Sequence, residues 1–218
     1  MVFTLGTDEA GRGPVLGPLV ICGVLASEEQ EKQLMEIGVK DSKMLTPIQR
    51  ERMFERIVKV VEKYEIVIIQ PEEIDDAVEG KGGLNLNWLE AIKSAQIINK
   101  LKPNVAILDC PSTNIKAYSD YVAKHVDGCV KIIAEHKADQ IYPIVSAASI
   151  LAKVTRDEEI QKLKKQYKVE FGSGYPSDPL TQIFIKKFHD KFPFFRKSWE
   201  SYKNIAKGKS QTKLFSEK

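Results

Sequence analysis

Apolar and polar positions alternate along the chain in two rhythms. Met1 to Leu5 and Leu19 to Leu25 are short apolar runs, and each reads as a buried strand. Between them lies a stretch too rich in Gly and Pro to be regular. Ser27 is placed to cap a helix over Glu28 to Ile37, which Gly38 closes. Val39 to Leu45 is a polar connector. Thr46 followed by Pro47 starts a second helix that runs to about Lys63, with Phe54, Ile57, Val58 and Val61 on one face.

Strands and helices then alternate. Tyr64 to Gln70 reads as a strand ended by Pro71, then come a short acidic helix and a break at Gly80 to Gly83. Leu84 to Leu101 has helical spacing, and Pro103 opens a strand over Asn104 to Leu108. A helix over Thr113 to Val126 leads to a strand over Cys129 to Ala134. A long helix follows from about Val145 to Tyr167, then a Gly-Ser-Gly-Tyr-Pro turn. Two last helices lie near Leu180 to Lys191 and Ser198 to Ala206. No internal repeat is visible. Strands that group early and then alternate with helices predict an α/β layered domain with a mixed sheet.

Composition adds bounds. A chain of 218 residues with 43% apolar and 29% charged content suits one large domain, or one domain with a small appendage. No window approaches the roughly 18 uninterrupted apolar residues of a membrane span, so no membrane is expected as partner. No basic region followed by a long apolar stretch opens the chain, so no signal peptide is expected. Cys22, Cys110 and Cys129 are widely spaced and form no Cys-x-x-Cys motif. That argues against zinc or a disulfide framework and for a reducing, cytoplasmic setting.

The net charge of +3 is unevenly spread. Residues 186–218 hold ten basic and three acidic side chains, a local charge of +7 that leaves −4 for the rest. Phe192, Phe194, Phe195, Trp199 and Tyr202 are interleaved with those cations. The pattern fits a polyanion-binding surface, or equally a solvated helix face over a core stripe.

The acids carry the chemistry. Asp8-Glu9 stands at or just past the first strand, Asp109 at the end of another, and Asp139 a few residues beyond a third. Ligands of open α/β sheets gather at the carboxyl ends of parallel strands. Carboxylates meeting there repel unless a cation neutralises them, and all-oxygen donor sets suit Mg²⁺ or Mn²⁺. Beside the first pair, Gly11-Arg12-Gly13 can approach a ligand closely and present backbone N–H groups to an anion. The spacing of the acids alone also describes a receiver-type phosphoacceptor domain, with Asp109 modified and Lys153 as its later lysine. The Gly-Arg-Gly loop and the basic C-terminal end weigh against that.

Five blocks carry a closer resemblance: Asp8 to Pro14, Asp41-Ser42-Lys43, His136 to Asp139, Ser146 to Asp157, and Gly172 to Asp178. In order and spacing, from residue 3 to about 206, they resemble the signature blocks of ribonuclease HII, in the compact form of its archaeal members. The resemblance implies an RNase H-like fold: a central mixed five-stranded sheet flanked by helices, with a C-terminal helical appendage. It implies boundaries at 1–170 for the catalytic domain, 171–207 for the appendage and 208–218 for a polar tail. It also implies a monomer that cuts the RNA strand of RNA/DNA hybrids, and DNA at embedded ribonucleotides.

By the same resemblance Asp8, Glu9, Asp109 and Asp139 are catalytic and bind two Mg²⁺ or Mn²⁺ ions, giving 5′-phosphate and 3′-hydroxyl ends. Gly11, Arg12 and Gly13 meet the 2′-hydroxyl, Tyr175 stacks on the following sugar, and Arg12, Lys43, Ser146 and Lys153 hold phosphates. Met44 departs from the family, where a second Lys is common. His136 reads as an orienting residue of the acid loop, with a ligand or proton shuttle as the alternative. Gln211, Leu214 and Phe215 resemble the start of a sliding-clamp (PCNA) binding peptide, although Glu217 and Lys218 stand where its aromatics belong. A non-catalytic hybrid-binding adaptor tethered to a clamp is the remaining alternative.

Overall fold

The computed structural model describes residues 1–39, 45–189 and 191–205. Five strands form one mixed sheet: β1 (Phe3–Ala10), β2 (Leu19–Ser27), β3 (Lys63–Ile69), β4 (Val105–Asp109) and β5 (Lys131–Glu135), in the order β3-β2-β1-β4-β5. β1 runs antiparallel to β2, while β1–β4 and β4–β5 are parallel. The expected α/β class with a central mixed five-stranded sheet is therefore what the chain forms. An all-parallel receiver-type sheet is excluded by the β1–β2 pairing.

The helices are α1 (Glu28–Glu36), α2 (Pro47–Val60), α3 (Pro71–Val78), α4 (Leu86–Leu101), α5 (Ile115–Ala123), α6 (Ala138–Ile141), α7 (Pro143–Tyr167) and α8 (Pro179–Phe188). Ser27 and Thr46 each begin a helix through a reciprocal capping box, with Gln30 and Gln49 as the returning partners. α2 ends earlier than its apolar spacing predicts. Val61 is already extended and the N–H of Glu62 donates to the Leu25 carbonyl at 3.0 Å, so sheet bonding takes over. α5 starts later than expected because the Asn114 side chain caps it, accepting from the Ala117 N–H at 3.0 Å. The short α6 has no apolar period and was not foreseen.

By contact the described chain divides into two compact units. The first comprises Met1–Ala10, Val20–Ile68 and Leu86–Arg156, and the second Gly11–Leu19, Ile69–Asn85 and Asp157 onward. In the first, Val20, Cys22, Val24 and Ala26 of β2 pack with Ile144, Val145, Ala147, Ala148, Ile150 and Leu151 of α7. Gly6 of β1 comes against the backbone of α7. A Cβ there would stand 2.6 Å from the Ile144 backbone, so only glycine lets α7 lie this near β1.

The second unit has an aromatic core. Phe171, Phe184, Phe194, Phe195 and Tyr202 are buried with Val15, Leu16, Ile160 and Ile185. The Phe184 ring stacks on Phe192, Phe194 and Phe195 at centroid distances of 5.6 to 6.3 Å. The aromatics interleaved with the basic residues are thus mainly core, with lysines such as Lys187 and Lys191 lying over the rim ring of Phe188. Helix is also present over 200–205. Among the described residues no helix is long and apolar enough to cross a membrane.

Candidate active site

The carboxylates meet because neighbouring strands end in register. Thr7 of β1 stands beside Leu108 of β4, so Asp8 and Asp109 follow side by side at the next level. The acidic pair lies within β1 rather than beyond it, because pairing with β2 continues to Ala10. Glu9 follows directly, its N–H donating to Asp8 Oδ1 at 2.7 Å. Its charge is felt by the buried Tyr118 hydroxyl and the Cys110 thiol, both of which are pushed up chiefly by burial.

Asp139 arrives by a different device. Lys137 takes a left-handed conformation, φ 58°, and turns the chain sharply after β5. The N–H of Ala138 then donates to Asp109 Oδ1 at 2.9 Å, and the Lys137 N–H reaches the same carboxylate. Asp139, the next residue, is buried and raises the Asp109 carboxyl by its charge. His136 Nδ1 donates to the Cys110 carbonyl at 3.0 Å, tying this turn to the residue after Asp109.

α7 supplies the polar cover. Ser146, Ser149 and Lys153 recur at helical spacing on one face. Lys153 Nζ donates to Ser149 Oγ at 2.6 Å, and the Ser149 hydroxyl bonds to Asp8. Asp8 is nonetheless pushed up to about 7, first by burial and then by Asp109, with Ser149 and Lys153 pulling the other way. Asp109 is raised as well, first by burial, while the Ala138 N–H opposes the shift. The two carboxyls are close enough that each bears on the ionisation of the other.

The residues suit a divalent cation by chemistry. Their donors are hard oxygens, their charges are crowded, and partial burial makes ionisation costly without a counter-charge. Among the described residues no three His, Cys, Asp or Glu side chains already stand as a metal-binding cluster.

Of the other expected residues, Ser146 is fully buried, and its hydroxyl donates to the Val39 carbonyl at 2.5 Å. It anchors the chain just ahead of residue 40 rather than lying open to a phosphate. In the second unit Gly11 is buried with φ 90°, Arg12 is half-buried and Gly13 is exposed. Tyr175 is 42% exposed, and a Cβ on Gly13 would lie 3.7 Å from its ring. Lys43 and Met44, and the tail residues Gln211, Leu214 and Phe215, lie outside the described residues. Sequence reasoning passed over Ser149, although its spacing of four from Lys153 was visible. It also passed over Arg196, which grips the Gly11–Gly17 loop.

Comparison with known proteins places this geometry. The family model for ribonuclease HII matches residues 5–202. Ribonuclease HII of Pyrococcus furiosus is 47% identical over 206 residues, covering 92% of this chain and 89% of that protein. The crystal structure of ribonuclease H2 from Pyrococcus horikoshii superimposes with a TM-score of 0.85 at 43% identity, covering 94% of this chain and 97% of that one. The ribonuclease HII of a PCNA complex from Archaeoglobus fulgidus matches with a TM-score of 0.83 at 38% identity, covering 93% and 96%.

Proposed function

The chain belongs to the ribonuclease HII family and is a metal-dependent endoribonuclease H; from that premise we propose how its own residues do the work. The observation that carries the reading is the convergence of Asp8, Asp109 and Asp139 from three separate elements, with the first two carboxyls held above their ordinary range.

Asp8, Glu9, Asp109 and Asp139 would hold two Mg²⁺ or Mn²⁺ ions. When bound, such ions would activate water toward phosphorus and stabilise the departing 3′ oxygen of an in-line displacement. Asp8 would have to be ionised to serve as a ligand. Ser149 and Lys153 keep its carboxylate oriented. The turn at Lys137 and Ala138 fixes Asp109 through backbone N–H groups, so Asp109 needs no rearrangement of its own. Cleavage leaves 5′-phosphate and 3′-hydroxyl ends.

In the second unit, Gly11, Arg12 and Gly13 contact the 2′-hydroxyl, the group that separates RNA from DNA. Tyr175 stacks on the sugar that follows. Arg12, Lys43 and Lys153 hold phosphates, and Ser146 anchors the Val39 carbonyl. The enzyme therefore cuts DNA at single embedded ribonucleotides as well as RNA/DNA hybrids, without base-sequence preference.

A labelled duplex carrying one ribonucleotide, incubated with Mg²⁺, with Mn²⁺ and with EDTA, tests the reading. Cleavage on the 5′ side of the ribonucleotide, abolished by EDTA and by Asp109→Asn, is expected. Cleavage in EDTA, or an uncut ribonucleotide-containing duplex, overturns it. Binding of the uncut duplex should also weaken steeply with salt.

A second reading concerns the tail. A structural neighbour is a PCNA:RNase HII complex, and Gln211, Leu214 and Phe215 match the start of a clamp-binding peptide. Removing residues 209–218 should abolish clamp pull-down while leaving cleavage intact. Absence of pull-down by the full chain disposes of the idea.

A further inference from the structure

One buried cation in the second unit has no part in the chemistry described so far. Arg196 is fully buried, and its guanidinium reaches three backbone carbonyls of one loop. Nη2 donates to Gly11 at 2.6 Å, Nη1 to Arg12 at 3.0 Å and Nε to Gly17 at 3.0 Å. Its own N–H donates to the Val15 carbonyl at 2.9 Å. Trp199 adds a fourth clamp: its ring lies 4.9 Å from the guanidinium carbon, and its Nε1 donates to the Gly13 carbonyl at 3.1 Å. Leu16 bridges Phe195 in antiparallel sense beside them. The segment 194–199 thus draws the carbonyls of Gly11, Arg12 and Gly13 to one side.

The consequence follows from peptide geometry. Among the described residues no peptide is cis, and a planar trans unit sends the C=O of one residue and the N–H of the next in opposite directions. With the Gly11 and Arg12 carbonyls turned onto the guanidinium, the N–H groups of Arg12 and Gly13 point away from it. Gly13 is exposed, and Tyr175 flanks it at van der Waals distance from where its Cβ would be.

We infer that Arg196 is a positioning residue for ribose recognition, holding the Gly11–Gly13 turn so that its backbone donors face a 2′-hydroxyl. The inference rests on the reading of that turn as the ribose contact. A planar fork with five donors can satisfy three carbonyls at once in fixed directions, which a lysine ammonium on a flexible stem cannot. Trp199 fixes the fork from its face. Arg196 acts through the loop it grips and is a positioning rather than a catalytic residue.

The test compares binding of two duplexes that differ by one 2′-hydroxyl, a single-ribonucleotide duplex and its all-DNA twin, with Ca²⁺ in place of Mg²⁺. Arg196→Gln should lower the preference for the ribonucleotide duplex by about tenfold, the worth of one well-made hydrogen bond, while all-DNA binding stays within about twofold. Arg196→Lys should recover part of the preference. Trp199→Phe, which keeps a ring but loses the donor to Gly13, should cost less, and it carries the test if Arg196→Gln does not fold by circular dichroism. Unchanged preference in these folded variants, or equal weakening toward both duplexes, overturns the positioning role. A wild-type protein that fails to tell the duplexes apart overturns instead the reading of Gly11–Gly13 as the ribose contact.

Discussion

The backbone N–H of Ala138 donates to Asp109 Oδ1 at 2.9 Å across 29 residues of chain. This one bond determines where the next acid goes. Lys137 turns left-handed to make it, and Asp139 is carried to within electrostatic reach of Asp109. A backbone donor is well suited to the task, because it orients a carboxylate without competing with it for a cation.

Asp109→Asn keeps an oxygen to accept from Ala138 and removes the charge. The fold should survive, with an unchanged circular dichroism spectrum. Turnover should fall by at least about 10²–10³-fold, as when other fixed electrostatic groups are removed from active sites. Activity within tenfold of wild type at saturating Mg²⁺ would remove Asp109 from the mechanism.

Asp8 makes the metal-free protein sensitive to pH. Its carboxyl is raised to about 7 from 3.8, chiefly by burial, so the folded state holds a proton that the unfolded chain has already released at neutral pH. The stability this contributes is fully present below pH 3.8 and is lost as pH rises through 7. In EDTA the melting temperature should therefore fall between pH 5.5 and pH 8, and Asp8→Asn should flatten that slope. A wild-type slope of zero contradicts the placement of Asp8.

Adding Mg²⁺ or Mn²⁺ should reverse this trend, because a cation takes the place of the proton on Asp8. Titration calorimetry in buffers of different ionisation enthalpy should reveal proton release on metal binding at pH 7, and tighter binding at pH 8 than at pH 6. Metal binding without proton release would mean that Asp8 is not a ligand.

Ser149→Ala removes the hydroxyl between Lys153 and Asp8. The Asp8 carboxyl should rise further, and the acid limb of the pH–rate profile should move to higher pH. Metal affinity should weaken by about 10–100-fold, as for other residues that orient ligands. A pH profile that matches wild type would show that Ser149 only packs.

Gly6→Ala drives a Cβ into the backbone of Ile144 and Val145 at 2.6 to 2.8 Å. Neither side can yield by rotating a side chain, so α7 must shift off β1. A loss of stability at the upper end of the roughly 1–3 kcal/mol typical of overpacking is expected. Because α7 carries Ser149 and Lys153, activity should fall even where the variant stays folded. A melting temperature equal to wild type would show that α7 is not held this closely.

Much of this protein was legible along the chain. The strands and most helices follow from apolar spacing, and Ser27 and Thr46 cap where their local chemistry says they should. The acids were visible as strand-end carboxylates, because few other roles bring Asp to the end of an apolar run. Those features are local: a side chain and its near neighbours decide them. What tertiary structure alone decided is which atoms meet. Strand register, not spacing, sets Asp8 beside Asp109, and the left-handed turn at Lys137 brings Asp139 in. Gly6 looked like any strand glycine until α7 lay upon it. Arg196, one cation in a basic stretch, proved to be a buried fork for carbonyls some 180 residues earlier, 179 to 185 by bond. Contacts between distant residues depend on the packed arrangement of the whole backbone, and no local periodicity records them.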